Sequence, residues 1–213
     1  MLPGLIITLV GLIGTLATVS LGKYVSGLFK MIASTGFIGA AICAFINAEA
    51  SHPVYGGLIL AGLFFSWWGD FFLISQTKHI FLMGVGAFFL AHVTYAAAFI
   101  AIGIDPMWTL IAAAVLAVPA AFVLRWLHPH LGDMRNPVFA YIGIISVMVA
   151  LAVGAVVDGA SWLVPAGAAV FYLSDLFVAR DRFVTPSPVN QRVGLPLYYA
   201  AQIALACSIY YNL

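Results

Sequence analysis

Two aspartates stand in stretches that are otherwise almost wholly apolar. Asp70 lies in Phe64-Phe65-Ser66-Trp67-Trp68-Gly69-Asp70-Phe71-Phe72-Leu73-Ile74, and Asp175 in Phe171-Tyr172-Leu173-Ser174-Asp175-Leu176-Phe177-Val178. A bare carboxylate in hydrocarbon costs at least about 2.5–3.5 kcal/mol, so each needs a partner or a task. Two carboxyls brought together in a low dielectric can hold one shared proton, and so offer one acid and one base. The same pair can also serve as a proton relay in a transporter. Helical spacing supplies polar neighbours. Ser66 and Asp70 share a face, as do Tyr172 and Asp175, His92 and Tyr95, and Tyr199 and Gln202. Taken singly, His92 reads as an interhelical hydrogen-bonding group, and most of the tyrosines read as membrane packing.

Other chemistries lack their signals. The chain has no Gly-x-Ser-x-Gly elbow, phosphate loop, dinucleotide fingerprint or zinc signature. His128 and His130 flank Pro129 with Asp133 nearby, and this group reads as a solvated loop rather than a metal site. No cofactor is called for. Cys43 and Cys207 fall inside apolar runs and read as small core residues.

The elements that must position the aspartates follow from composition. The chain is 64% hydrophobic and only 7% charged over 213 residues, against about 25% charged in soluble domains. A normal water-facing surface is therefore excluded, and a net charge of +1 leaves no nucleic-acid footprint. In a bilayer every lipid-facing backbone group must be paired, which enforces helices. A span takes about 20 mostly apolar residues. That ruler predicts eight: Leu2–Leu21, Leu28–Ala48, Val54–Ile74, Ile80–Ile102, Met107–Trp126, Pro137–Val157, Ser161–Ala179 and Leu195–Asn212. The first has no basic residue ahead of it and runs on into further spans, so it reads as a span rather than a cleaved leader. The break Arg180–Gly194, with Pro186 and Pro188, reads as a loop. Fold class is thus all-α: a single integral membrane domain over residues 1–213, built as a bundle of eight transmembrane helices.

The breaks orient the bundle. Lys23, Lys30, Lys78, Arg125, Arg135, Arg180, Arg182 and Arg192 all fall in or beside odd-numbered breaks, whereas Glu49, Asp105 and Asp158 occupy the even ones. The positive-inside rule puts the odd breaks in the cytoplasm and both termini outside a cell (inner) membrane crossed many times. At 1.5 Å per residue, Asp70 sits about 12 Å above Lys78, Asp175 about 8 Å above Arg180, and His92 about 21 Å past Lys78. Both carboxylates are expected in the cytoplasmic part of the membrane at matching depth. Gly69-Asp70-Phe71-Phe72-Leu73 echoes Ser174-Asp175-Leu176-Phe177-Val178, and each is followed by a basic break and a span bearing polar groups. The echo suggests two parallel four-helix repeats.

Four motifs in order, Ser66-Trp-Trp-Gly69-Asp70, Gly86-Ala-Phe-Phe-Leu-Ala-His92-Val-Thr-Tyr95, Tyr172-Leu-Ser174-Asp175 and Leu195-Pro-Leu-Tyr198-Tyr199-Ala-Ala-Gln202, resemble the lysoplasmalogenases, the YhhN-like integral membrane proteins. They run from the third predicted span to the eighth. The resemblance implies an eight-span ether hydrolase that cleaves the vinyl ether bond of a lysophospholipid substrate, releasing a fatty aldehyde and a glycerophospho-base. The matching positions are Asp70, His92, Tyr95, Asp175, Tyr199 and Gln202. The residues agree with that chemistry. A vinyl ether hydrolyses when an acid protonates its β-carbon and water captures the oxocarbenium ion, which needs neither metal nor nucleophilic serine. Asp70 and Asp175 are expected to divide the catalytic roles. Ser66, His92, Tyr95, Tyr172, Tyr199 and Gln202 would form a supporting polar shell, and Lys78, Arg180, Arg182 or Arg192 would hold the lipid phosphate. The alternatives are a proton-coupled transporter or a lipid-binding membrane protein using the same aspartates.

Overall fold

The computed structural model describes residues 1–48, 52–75 and 77–212. Glu49, assigned to an acidic break, lies outside the described residues. Among those described there are no strands. Eight α-helices follow in order: α1 (Leu2–Ala17), α2 (Lys23–Asn47), α3 (Pro53–Phe72), α4 (Lys78–Ile102), α5 (Pro106–Leu127), α6 (Arg135–Val157), α7 (Leu163–Ala179) and α8 (Pro188–Tyr211). Six of them, α2 and α4 to α8, are long and apolar enough to cross a membrane; α1 is apolar but has only 16 residues.

The helix starts are written locally. Proline, whose missing N–H is no loss in the first turn, opens α1, α3, α5 and α8. Asp105 caps α5 by accepting from the Trp108 amide at 2.8 Å, and Ser187 caps α8. This corrects the reading of Arg180–Gly194 as a loop. Arg180–Val184 continues α7 as a π-helical turn, and Pro188 begins a helix rather than breaking one. Likewise α2 starts at Lys23, five residues before the apolar run, and so places Lys30 about two turns in rather than at its very start.

Packing runs in a closed circuit: α2 on α3, α3 on α4, α4 on α6, α6 on α7, α7 on α8, and α8 back on α2. Helices α1 and α5 lie outside that circuit, against α2 and α6 respectively. The buried apolar core comes from the circuit, with Phe37, Ile59, Leu63, Phe99, Met148, Phe171 and Leu205 fully enclosed. Helix α5 instead leaves Leu110, Val115, Val118 and Phe122 exposed, the surface expected to meet lipid. The contact between α1 and α2 rests on absent side chains. A Cβ at Gly4 would overlap the backbone of Ala40, and one at Gly36 would overlap that of Thr8.

Candidate active site

Asp70 sits two residues from the end of α3 and is 1% exposed. The neighbouring helices supply three donors to its carboxylate. Lys30 of α2 places its ammonium 3.0 Å from Oδ1. Ser34, one turn further along α2, donates to Oδ2 at 2.5 Å, and Tyr198 of α8 donates to the same oxygen at 2.7 Å. Tyr199 sits behind them, donating to the Lys30 carbonyl at 3.0 Å and lying 3.3 Å from Ser34 Oγ. A carboxylate so surrounded is a charged acceptor held from two sides.

Asp175 sits four residues from the end of α7, with its side chain 18% exposed. Among the described residues no lysine or arginine pairs with it. Tyr141 of α6 donates to Oδ2 at 2.8 Å, and His92 of α4 brings Nε2 to 3.4 Å from the same oxygen. His92 Nε2 also lies 2.9 Å from Tyr141 Oη. Since the Tyr141 proton goes to Asp175, His92 donates to Tyr141, giving a chain from His92 through Tyr141 to Asp175. The other ring nitrogen, Nδ1, faces Met148 Sδ at 3.3 Å, and the ring is wedged edge-on against Phe171 at 4.7 Å between centroids.

Both carboxylates line one cavity of about 600 Å³, within the size range of small-molecule sites. Phe88, Ile142, Ile145 and Tyr172 contribute to its walls. It is also lined by Val19 between α1 and α2, Lys23 at the start of α2, Ser75 after α3, Leu127 at the end of α5, and Arg182 and Phe183 between α7 and α8. The four odd-numbered connections therefore meet at the end of the bundle where both aspartates lie. Among the described residues no hydrogen bond joins the two carboxyls; each has its own partners across the shared space.

The other expected site residues divide. Tyr172 lines the cavity, with Ser146 Oγ 3.5 Å from its hydroxyl. His92 and Tyr199 stand just behind the aspartates. Ser66, Tyr95 and Gln202 form a separate buried chain: Tyr95 donates to Gln202 Oε1 at 2.8 Å and lies 3.4 Å from Ser66 Oγ. None of those three lines the cavity, and among the described residues Gln202 Nε2 has no hydrogen-bond partner. Of the basic residues, Arg182 lines the cavity. Lys78 pairs with Asp133 at 2.9 Å on the exposed surface, Arg180 donates to Asn190 at 2.7 Å, and Arg192 is exposed. Lys30, Ser34, Tyr141 and Tyr198 were missed. Lys30 and Ser34 are four apart and so share a face of α2, a signal hidden because Lys30 reads as a loop cation. Tyr141 sits in an apolar span with no motif around it.

The model of the YhhN family matches residues 25–209. The chain is similar to the lysoplasmalogenase TMEM86A of Bos taurus, 34% identical over 157 residues that make up 70% of this chain and 64% of that protein. It is 35% identical to the lysoplasmalogenase TMEM86B of Homo sapiens, over 78% of this chain and 70% of that one. The lysoplasmalogenase of Mycobacterium bovis is 30% identical over 78% of this chain and 66% of its own length. The chain thus spans just under two thirds of the length of the bovine relative. No solved structure matches it. With that match running from the start of α2 nearly to the end of α8, through both aspartates and their partners, the chain belongs to the YhhN family.

Proposed function

We propose that the protein hydrolyses the vinyl ether bond of a lysoplasmalogen, releasing a fatty aldehyde and a glycerophospho-base. The observation that carries this reading is that Asp70 and Asp175, with unlike partners, line the same cavity. Relatives whose names are lysoplasmalogenase support the substrate.

The partners suggest how the roles divide. Asp70 meets an ammonium and two hydroxyl donors, which suits a fixed negative charge. Asp175 meets a donor chain and the open cavity, which suits a proton donor. In this reading Asp175 gives its proton to the β-carbon of the vinyl ether. The neighbouring carbon, bonded to oxygen, becomes an oxocarbenium centre facing the Asp70 carboxylate. Water adds to that centre and returns a proton to Asp175, and the hemiacetal collapses to aldehyde and the free glycerol hydroxyl. Tyr141 and His92 position the acid through their donor chain.

The same reading takes all eight helices as spans, within one domain. The end with the basic connections faces the cytoplasm, and the termini lie outside. Two parallel repeats, α1–α4 and α5–α8, are supported by the packing circuit. Its outer helices α1 and α5 contact the second helix of each half, and α4 meets α6 as α8 meets α2. Gly62 and Gly167 stand as far apart in the chain as Asp70 and Asp175.

The test is aldehyde release by purified protein from 1-alkenyl-glycerophosphocholine or 1-alkenyl-glycerophosphoethanolamine. No aldehyde from either, with the lipid bound, would leave a lipid-binding protein. Proton-driven solute uptake into liposomes without product would instead favour the transporter.

A further inference from the structure

The cavity mouth sorts the eight basic residues of the chain. Lys78 is paired with Asp133, and Arg180 donates to Asn190. Arg125, Arg135 and Arg192 do not line the cavity. Lys23, Lys30 and Arg182 do, but Lys30 is already committed to Asp70. Lys23 and Arg182 remain, and among the described residues neither has a carboxylate within ion-pair distance.

Both are instead mounted on aromatic rings. The Arg182 guanidinium lies 4.2 Å from the centre of the Phe81 ring, and the Lys23 ammonium lies 5.1 Å from that of Tyr24. A ring holds a cation in place without cancelling its charge as a carboxylate would. Phe81 is itself gripped by Phe183, ring centres 6.0 Å apart. That pins the α7–α8 connection, with Arg182 on it, to the start of α4. The nearest acid in the chain, Asp181, also lines the cavity, but its Oδ1 accepts from the Ser187 amide at 3.0 Å and from Asn190 at 2.8 Å. Lys23 is the first residue of α2 and Arg182 lies in the α7–α8 connection, so charge reaches the cavity from two parts of the chain.

We propose that Arg182 and Lys23 clamp the phosphodiester of a single-chain lipid whose tail occupies the cavity. The proposal rests on the lysoplasmalogen reading only for the position of the ether bond. It replaces three of the four basic residues expected from sequence with one that sequence assigned to topology alone. Arg182 offers a planar fork matched to two phosphate oxygens, and Lys23 adds a mobile point charge.

The test reads binding, so that it stands apart from turnover. Affinities of purified protein are measured for 1-O-hexadecyl-glycerophosphocholine, which has no vinyl ether to cleave, and for 1-O-hexadecylglycerol, which has no phosphate. Wild type is expected to favour the phosphorylated ether by about tenfold or more. In Arg182→Gln/Lys23→Gln that preference should fall to about twofold or less, and Arg182→Lys should keep part of it. Equal affinities in the wild type, or an undiminished preference in the double variant, would overturn the clamp. Inorganic phosphate should compete only weakly; displacement of the ether lipid as effective as that by glycerophosphocholine would make this a free-anion site and overturn the lipid assignment. Aldehyde release from the alkenyl lipid, measured separately, tells a failed clamp from a failed hydrolase.

Discussion

Asp70 and Asp175 occupy corresponding places. Each lies near the C-terminal end of its helix and is gripped from the helix before it and from one helix more distant in the chain. For Asp70 these are α2 and α8; for Asp175 they are α6 and α4. The groups doing the gripping differ. The α2 and α8 groups at Asp70 are an ammonium and two hydroxyls, whereas α6 and α4 give Asp175 a phenol and an imidazole. Similar helix arrangements thus present one carboxylate paired with an ammonium and one met by a phenol and an imidazole. The scaffold sets where the carboxyls sit, and two or three side chains on neighbouring helices set what each can do.

The comparison breaks most sharply by removing the acids one at a time. Asp175→Asn and Asp70→Asn should each lower aldehyde release by about a thousandfold, within the usual range for loss of a general acid or of a charge that stabilises the transition state. Their folding should differ. Asp70→Asn leaves Lys30 without its counterion at a site where the lysine side chain is 15% exposed, and should destabilise the protein by about 3 kcal/mol in detergent melting. Asp175→Asn should melt within about 1 kcal/mol of wild type, since it loses only hydrogen bonds. Full activity in either variant would end the division of roles.

Lys30 sharpens the point from the other side. Lys30→Met strands a carboxylate that is 1% exposed and should destabilise by about 3–5 kcal/mol, the cost of breaking a buried pair. Adding Asp70→Asn should recover most of that stability and none of the activity. If the double variant is no more stable than Lys30→Met alone, the ion pair is not what holds α2 to α3.

Tyr141→Phe is a milder change on the Asp175 side. It removes the hydroxyl between His92 and the acid while keeping the ring against His92, 5.1 Å between centroids. Turnover should fall about ten- to a hundredfold, below the full contribution of an acid, and the KM for the alkenyl lipid should hardly move. A raised KM with unchanged turnover would instead make Tyr141 a wall of the lipid site.

The residues that could be picked from the sequence are those whose polarity clashes with their surroundings. Asp70, Asp175 and His92 stand out because a charge or an imidazole in an apolar run has to be explained by something. Their partners do not. Tyr141 and Tyr198 are amphipathic, and a tyrosine in a span is ordinary, so nothing local separates a donor to a carboxylate from a packing group. Lys30 was hidden by a different physics. It stands two residues into the apolar run that opens at Leu28, where a lysine beside a break reads as an orientation signal, and only a helix already begun at Lys23 carries it far enough in to meet Asp70. Helix number came through because turn residues and prolines punctuate the apolar runs. The proline at 188 misled, since in the first turn it starts a helix.

The smallest effect on catalysis is expected at residues that share motifs with the aspartates yet sit apart from the cavity. Tyr95→Phe removes the donor to Gln202 Oε1 and the neighbour of Ser66, all three being fully buried. A buried amide oxygen left without its donor should lower stability by about 1–3 kcal/mol. The cavity, Asp70 and Asp175 keep every contact described above, so aldehyde release per folded molecule should stay within about twofold of wild type if transition-state contacts are untouched. Detergent melting and initial rates on the same preparation separate the two. A large loss of turnover at unchanged stability would mean that the Ser66–Tyr95–Gln202 chain reaches the reacting lipid. The site would then extend one turn deeper along α8 than the Asp70 cluster alone requires.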